Sequence, residues 1–276
     1  MSSDIPRHCR DYIGKLFIEY SKEKYRVDSD YKKGMPQPIQ ETPTKPDDKI
    51  IKLPDPKQIK LIDLNFLDLV NQRKSVRQYT DESLTLQELS YLLWCTQGVK
   101  QIHTRETSAQ AKEWNVDITL RTVPSAGLRN PLDTYLIVHR VDGLESGLYR
   151  FLVLEHKLVL VNSESDWSER ITEACLKQRF VGQGAVVFIW VCNPYRTEYS
   201  YGNRGYRYIF LDSGHVCQNL YLASEAIGCG TCAVGAYDDD KINDLFGLDG
   251  ENQFVIYVAP VGRKTNARVF KKKILS

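Results

Sequence analysis

The chain predicts an α+β fold in which a mixed sheet is flanked by helices. Residues 185–192 (AVVFIWVC) are apolar at every position, the pattern of a central strand buried on both faces. Residues 212–227 set Val216, Leu220, Ala223 and Ile227 on one stripe at helical spacing, with Gly228 as the stop. Helical and strand patterns interleave without the regular alternation of a doubly wound sheet, which decides for α+β.

Taken in order, residues 1 to about 60 read as an extended arm. Asp28 to Pro56 is rich in Pro, Lys and Asp, with few periodic apolar positions. Such an arm is either loose or laid across another surface, a partner subunit for example. The globular domain is expected over 61–276. Asp63 is placed to cap a short helix through Leu64, Leu67 and Val70, ending before Arg73–Tyr79. Thr85 and Glu88 make a capping box ahead of Leu89, Leu92 and Leu93, and Gly98 ends that helix. Thr134–Val138 reads as a strand. Leu148–Val153 and Lys157–Val161 read as a hairpin turning near Glu155 and His156. Ser168–Gln178 is expected as a helix. After the 212–227 helix come a strand at Thr231–Tyr237, a helix at Lys241–Phe246 and a last strand at Phe254–Val261.

Composition excludes several classes of function. With 37 basic and 35 acidic residues the net charge is +2, too small for a global field that holds nucleic acid or a membrane. Seven cysteines, an odd number scattered through predicted helices and strands, suit a reducing compartment rather than a disulfide framework. Met1–Tyr20 has no apolar run of signal-peptide length, and no segment reaches the roughly 18 apolar residues of a membrane span. A soluble, cytoplasmic protein is expected.

Common site motifs fail on spacing. There is no HExxH, and the five histidines lie far apart, which argues against catalytic zinc. Cys229 and Cys232 form a CxxC that follows a helix, whereas a redox pair opens one. Gly228, Gly230 and Gly235 run helix, glycines, strand, the reverse of a dinucleotide loop. Pro124-Ser-Ala-Gly127 is half a nucleophile elbow, with Val123 where the first glycine belongs. The Tyr195–Tyr208 stretch interleaves tyrosines with Arg196, Arg204 and Arg207, and reads as a pocket wall with dimer contacts rather than a single-strand groove.

One series of segments does cohere. In Arg73-Lys-Ser75-Val-Arg77-Gln-Tyr79, extended backbone puts residues 73, 75 and 77 on one face, where two guanidinium groups and a hydroxyl suit a phosphate and its polyol. That segment is followed by Leu92-Leu-Trp-Cys-Thr-Gln97-Gly98, Pro124-Ser-Ala-Gly127 with Asn130-Pro-Leu-Asp133, and Gly143–Tyr149. The series continues through Tyr201–Tyr208, Asp212–Leu220, Gly230–Ala236 and Val261-Gly-Arg263. In order and spacing it resembles the nitroreductase superfamily, and within it the SagB-type branch that oxidises azolines in modified peptides. The resemblance covers roughly residues 61–265.

The resemblance implies a nitroreductase-like fold in an intertwined homodimer, with FMN at the subunit interface. By similarity, Arg73, Ser75 and Arg77 would hold the FMN phosphate and ribityl chain, with Arg263 closing the phosphate site. Pro124, Ser125 and Ala126 would pack around the isoalloxazine from the opposite subunit. Gly235 and Ala236 would bring backbone close to the flavin N5 edge, and Gln97 would reach its pyrimidine edge. The azoline-oxidising relatives carry a Lys-Tyr pair, and here the matching residues are Ser200 and Tyr201. Tyr201 is therefore the catalytic candidate, without the neighbouring ammonium. The expected activity passes hydride or electrons through flavin N5 between NAD(P)H or an organic donor and a small nitro or quinone acceptor. A partner-dependent peptide azoline dehydrogenase and a non-catalytic flavin-binding protein are the alternatives. No metal, nucleic-acid or membrane partner is expected.

Overall fold

The structure is a computed structural model that describes residues 12–265 except 110 and 111, and side chains outside 104–117. Among the described residues the first element is helix α1 (Ile13–Tyr20), from which the chain runs as a largely extended strap to strand β1 (Ile50–Lys52). Helix α2 (Phe66–Gln72) is capped by Asn65, whose side chain accepts from the Asp68 amide, so the cap lies two residues beyond the expected Asp63. Strand β2 (Leu84–Thr85) leads into α3 (Leu86–Gln97), which has the expected capping box of Thr85 and Glu88 and ends at Gly98. Two long strands follow, β3 (Val99–Ala109) and β4 (Lys112–Arg121), paired only with each other.

The sheet proper is built from β5 (Leu132–Val138), β7 (Gly147–Leu152), β8 (Lys157–Asn162), β9 (Val186–Cys192), β10 (Cys229–Thr231) and β11 (Phe254–Arg263), with β6 (Val141–Asp142) beside it. Its order is β1-β8-β7-β5-β9-β11-β10, so the strap supplies one edge strand. Each of its ladders is antiparallel. Parallel pairing appears between β2 and β6 and in a bridge of Ser75 with Thr231. The expected mixing of strand directions is therefore peripheral, because hairpin turns join β5, β7 and β8 and return each strand beside its predecessor.

Among the described residues the α-helices besides α1 are α2 and α3, then α4 (Trp167–Ala174), α5 (Arg179–Gln183), α6 (Tyr195–Tyr201), α7 (Gly205–Ala226) and α8 (Asp239–Leu245). β9 is buried along its whole length, and its side chains alternate between two cores. Val186, Phe188, Trp190 and Cys192 pack with α3 and α7 residues such as Leu92 and Leu220. Val187, Ile189 and Val191 pack with Trp167, Val181 and Ile242 of α4, α5 and α8. The helix expected over 168–178 breaks instead at Leu176 and Lys177, both with positive φ.

Polar groups of the body hold the strap. Arg196, 1% exposed, forms a two-point pair with Asp133 (2.7 and 3.0 Å) and donates to the Ile39 carbonyl at 3.0 Å. Arg150 donates to the carbonyls of Thr42 (2.6 Å) and Pro43 (3.2 Å), and the Tyr199 hydroxyl to that of Met35 (2.8 Å). Removing one partner of a buried ion pair strands the other. Arg196→Met is expected to cost about 3–5 kcal/mol in urea denaturation, and to expose the strap to limited proteolysis between residues 31 and 45.

Candidate active site

The expected site residues fall into two groups. The first forms where the segment after α2 meets the end of the sheet. The Val76 amide donates to the Thr231 carbonyl at 2.9 Å, and this places Ser75 and Arg77 outward while Val76 is buried. The approach is close enough to forbid a side chain on β10. A Cβ added to Gly230 would stand 2.5 Å from a Val76 methyl. The Ser75 hydroxyl lies 3.0 Å from the Tyr221 hydroxyl, which also accepts from the Ala233 amide at 2.8 Å. The Arg73 guanidinium stands 5.4 Å from the centre of the Tyr221 ring, and that of Arg77 stands 5.7 Å from Phe180. Neither has a carboxylate partner among the described residues. Gly235 and Ala236 are exposed nearby, and a Cβ on Gly235 would meet nothing within 4 Å.

A cleft of about 280 Å³ opens beside this group, lined by Lys74, Ser75, Val76, Arg77, Gln78, Lys264 and Thr265. The cation brought to it by the last strand is Lys264, which pairs with the buried Glu225 of α7. Arg263, the expected contributor, is turned elsewhere. Its guanidinium is held by both Glu88 oxygens at 2.7 Å and by the Ile227 carbonyl at 2.9 Å. Successive residues of a strand point to opposite faces, which is why Lys264 reaches the cleft when Arg263 does not.

The second group surrounds the loop after β4. Ser125 donates to Asp212 at 2.6 Å, the Ala126 amide donates to the same carboxylate at 3.2 Å, and the Asn130 amide donates to Ser125 at 2.8 Å. Burial raises the Asp212 carboxyl above the usual range, against these two hydrogen bonds. Gln97, buried at the end of α3, donates to Thr134 at 2.9 Å and accepts from Arg121 at 2.6 Å. Burial pulls the Arg121 guanidinium down to about 10. Gln97, Pro124, Ser125, Asn130 and Asp212 line a cavity of about 10 Å³, room for one water at most. Tyr201 closes this group. Gly127 has φ +56°, and a Cβ there would stand 2.5 Å from the Tyr201 hydroxyl.

One chain does not bring the two groups together. Asp212 and Tyr221 anchor one group each, nine residues apart on α7, which is about 13 Å of rise and half a turn of rotation. Sequence reading missed Asp212, Tyr221, Arg121 and Lys264 as site-forming residues. Asp212 carried a signal, a carboxylate at the start of an otherwise apolar helix stripe. Tyr221, set between Leu220 and Leu222, carried none.

Fold and site define an oxidoreductase of the nitroreductase type. The chain belongs to the nitroreductase family, whose model matches residues 70–263. A nitroreductase-named protein of Methanocaldococcus jannaschii is 37% identical over 214 residues, 78% of this chain and 96% of that protein. The solved structure of a nitroreductase-named protein from Ralstonia eutropha shares the fold with a TM-score of 0.62 at 23% identity, covering 84% of this chain and 95% of that one. The trifolitoxin-processing protein TfxB of Rhizobium leguminosarum is 27% identical over 133 residues, 47% of this chain and 36% of its own length. Among the described residues no group of side chains is arranged to hold a metal ion, and no helix is long and apolar enough to cross a membrane.

Asp212 is predicted to fix the shape of the Pro124–Gly127 loop. In Asp212→Asn one of the two accepting oxygens becomes a donor facing another donor, at a cost of about 1–3 kcal/mol. Hydrogen exchange of the Ala126 amide should speed up markedly, with exchange in β9 unchanged.

Proposed function

We propose that this protein is an FMN-dependent oxidoreductase that works as a homodimer, with each flavin held between the first group of one chain and the second group of its partner. The observation that carries the reading is the bridge of Ser75 with Thr231. It leaves two guanidinium groups without carboxylates among the described residues, a hydroxyl between them and an open glycine edge close by. Those features suit FMN, whose phosphate needs cations and whose planar ring needs backbone without a side chain in the way. Arg73, Ser75, Arg77 and Lys264 would hold the phosphate and ribityl chain, and Gly235 and Ala236 would border the ring. Pro124, Ser125 and Ala126 of the partner would face it, with Gln97 behind them.

FMN, when bound, supplies hydride acceptance from NAD(P)H or an organic donor and its release to a small nitro or quinone acceptor. The chain's own groups bind, orient and exclude water. Tyr201 stands beside the Pro124–Gly127 loop, where its hydroxyl would hold the proton exchanged with the second substrate. The TfxB likeness favours a second reading, a peptide azoline dehydrogenase acting with partner proteins.

The exposed face of α7 supports the dimer. Phe210 and Leu211, each 55% exposed, continue through Gly214, His215 and Gln218 as a stripe that runs toward Tyr221. Phe66 and Leu67 on α2 are also more than half exposed. Two copies of α7 crossing antiparallel about a twofold axis would cover these residues and set the Asp212 end of one helix beside the Tyr221 end of the other.

Purified protein is expected to show the two visible absorption bands of oxidised flavin and to release a chromophore that co-migrates with FMN. Colourless protein that also fails to take up added FMN would overturn the reading. Arg77→Ala should weaken FMN binding about tenfold or more, the worth of one charge-assisted contact. Sedimentation should give about twice the chain mass, and Leu211→Glu should shift it toward the monomer with loss of bound FMN.

A further inference from the structure

Residues 18–27 of the strap are clasped by the turn that carries Tyr201. Asn203 donates to the carbonyls of Tyr20 (3.0 Å) and Tyr25 (3.3 Å). Arg204 donates to the Ser21 carbonyl at 2.7 Å, and Arg207 to the Ser21 hydroxyl at 2.7 Å and the Ile18 carbonyl at 3.1 Å. A Val27 methyl fills the space above Gly202, standing 2.7 Å from where a Cβ would be. These contacts join the strap to the residues that directly follow Tyr201.

One strap side chain reaches Tyr201 itself. Arg26 donates to the Ser200 carbonyl at 2.9 Å and pairs with Glu23 at 3.0 Å, and Glu23 also lies 3.5 Å from Arg204. Its guanidinium then stands 5.6 Å from the centre of the Tyr201 ring. The ring meets Tyr208 edge-on, 4.7 Å between centres, and its hydroxyl abuts Gly127. Tyr201 thus sits among a body aromatic, the Pro124–Gly127 loop and a strap cation. Ser200 is too short to restrain the ring, and the backbone after it turns at Gly202 with φ +54°.

We propose that Arg26 is a positioning residue for Tyr201, so that the N-terminal strap forms part of the active site. The proposal rests on the placement of Tyr201 against the Pro124–Gly127 loop and extends the reading given above. The guanidinium holds the ring face while its hydrogen bond to Ser200 sets the backbone from which the ring projects. Loss of that contact leaves Tyr201 free to rotate away from the loop, with the Arg73–Arg77 segment unaffected.

The test uses full-length protein as purified, comparing Arg26→Ala, R26K and Tyr201→Phe with wild type. Tyrosine is labelled with carbon-13 at the ring, and the Tyr201 resonance is assigned by its absence in Tyr201→Phe. Arg26→Ala should shift and broaden that resonance while FMN content and thermal midpoint stay near wild type, and R26K should restore most of the line shape. In turnover with NADH and a benzoquinone, or with a thiazoline dipeptide under oxygen, kcat should fall about fivefold for whichever substrate Tyr201→Phe slows. KM should stay within about twofold. An unchanged Tyr201 resonance in Arg26→Ala would overturn the proposal, as would full activity of Arg26→Ala on a substrate that Tyr201→Phe slows. Protein in which Arg26→Ala disturbs the resonance but Tyr201→Phe turns over both substrates normally would uphold the positioning and remove the catalytic role of Tyr201. Should wild type take up no FMN, the flavin reading fails, while the resonance still decides the role of Arg26.

Discussion

The burial of β9 on both faces is the constraint from which the other features follow. A strand whose seven residues are all removed from water needs ladder partners on both edges and helices above and below it. β5 and β11 supply the ladders, in register from Leu132 against Cys192 and from Val261 against Val186. The apolar alternation then divides the interior into two cores, one closed by α3 and α7, the other by α4, α5 and α8. Because α7 is the long cover of one face, it carries Asp212 to one end of the sheet and Tyr221 to the other. The placing of both residue groups is thus a consequence of one strand's insolubility.

The strongest periodic signals were legible in the sequence. The all-apolar run at 185–192 and the capping box at Thr85 each correspond to an element with nearly the expected limits, and the stripe at 212–227 lies on a helix that starts earlier than expected. Failures came where local contacts replaced periodicity. α7 begins at Gly205, seven residues before its apolar stripe, because Tyr206, Arg207 and Tyr208 break the apolar pattern in its first turn, where Arg207 grips the strap. β3 and β4 pair as a two-stranded ribbon, and the apolar–polar alternation of residues 114–121 that signals β4 went unread. The strand expected at 231–237 pairs as β10 through Thr231, then bridges β11 by its backbone again at Val234, leaving Gly235 and Ala236 exposed.

The site was legible by segment and less so by side chain. The face shared by Arg73, Ser75 and Arg77 follows from strand alternation, and the structure keeps Val76 buried between them. At the last strand the resemblance pointed to Arg263, whereas strand alternation turns Arg263 to Glu88 and Lys264 to the cleft. Tyr221 and Asp212 act by holding backbone amides, of Ala233 and Ala126, and no spacing in the sequence reports which amides a helix will meet.

The strap has a consequence for the order of assembly. Its hydrogen bonds to the body join residues 91 to 189 positions apart, from Thr42 with Asp133 to Ile18 with Arg207. Contacts of such separation close late, because the intervening chain must first be confined. During synthesis, residues 18–43 leave the ribosome long before the arginines that grip them exist. The strap, made before the body that holds it, is thus seated after it, and the Tyr201 corner is completed only once Arg207 has been joined.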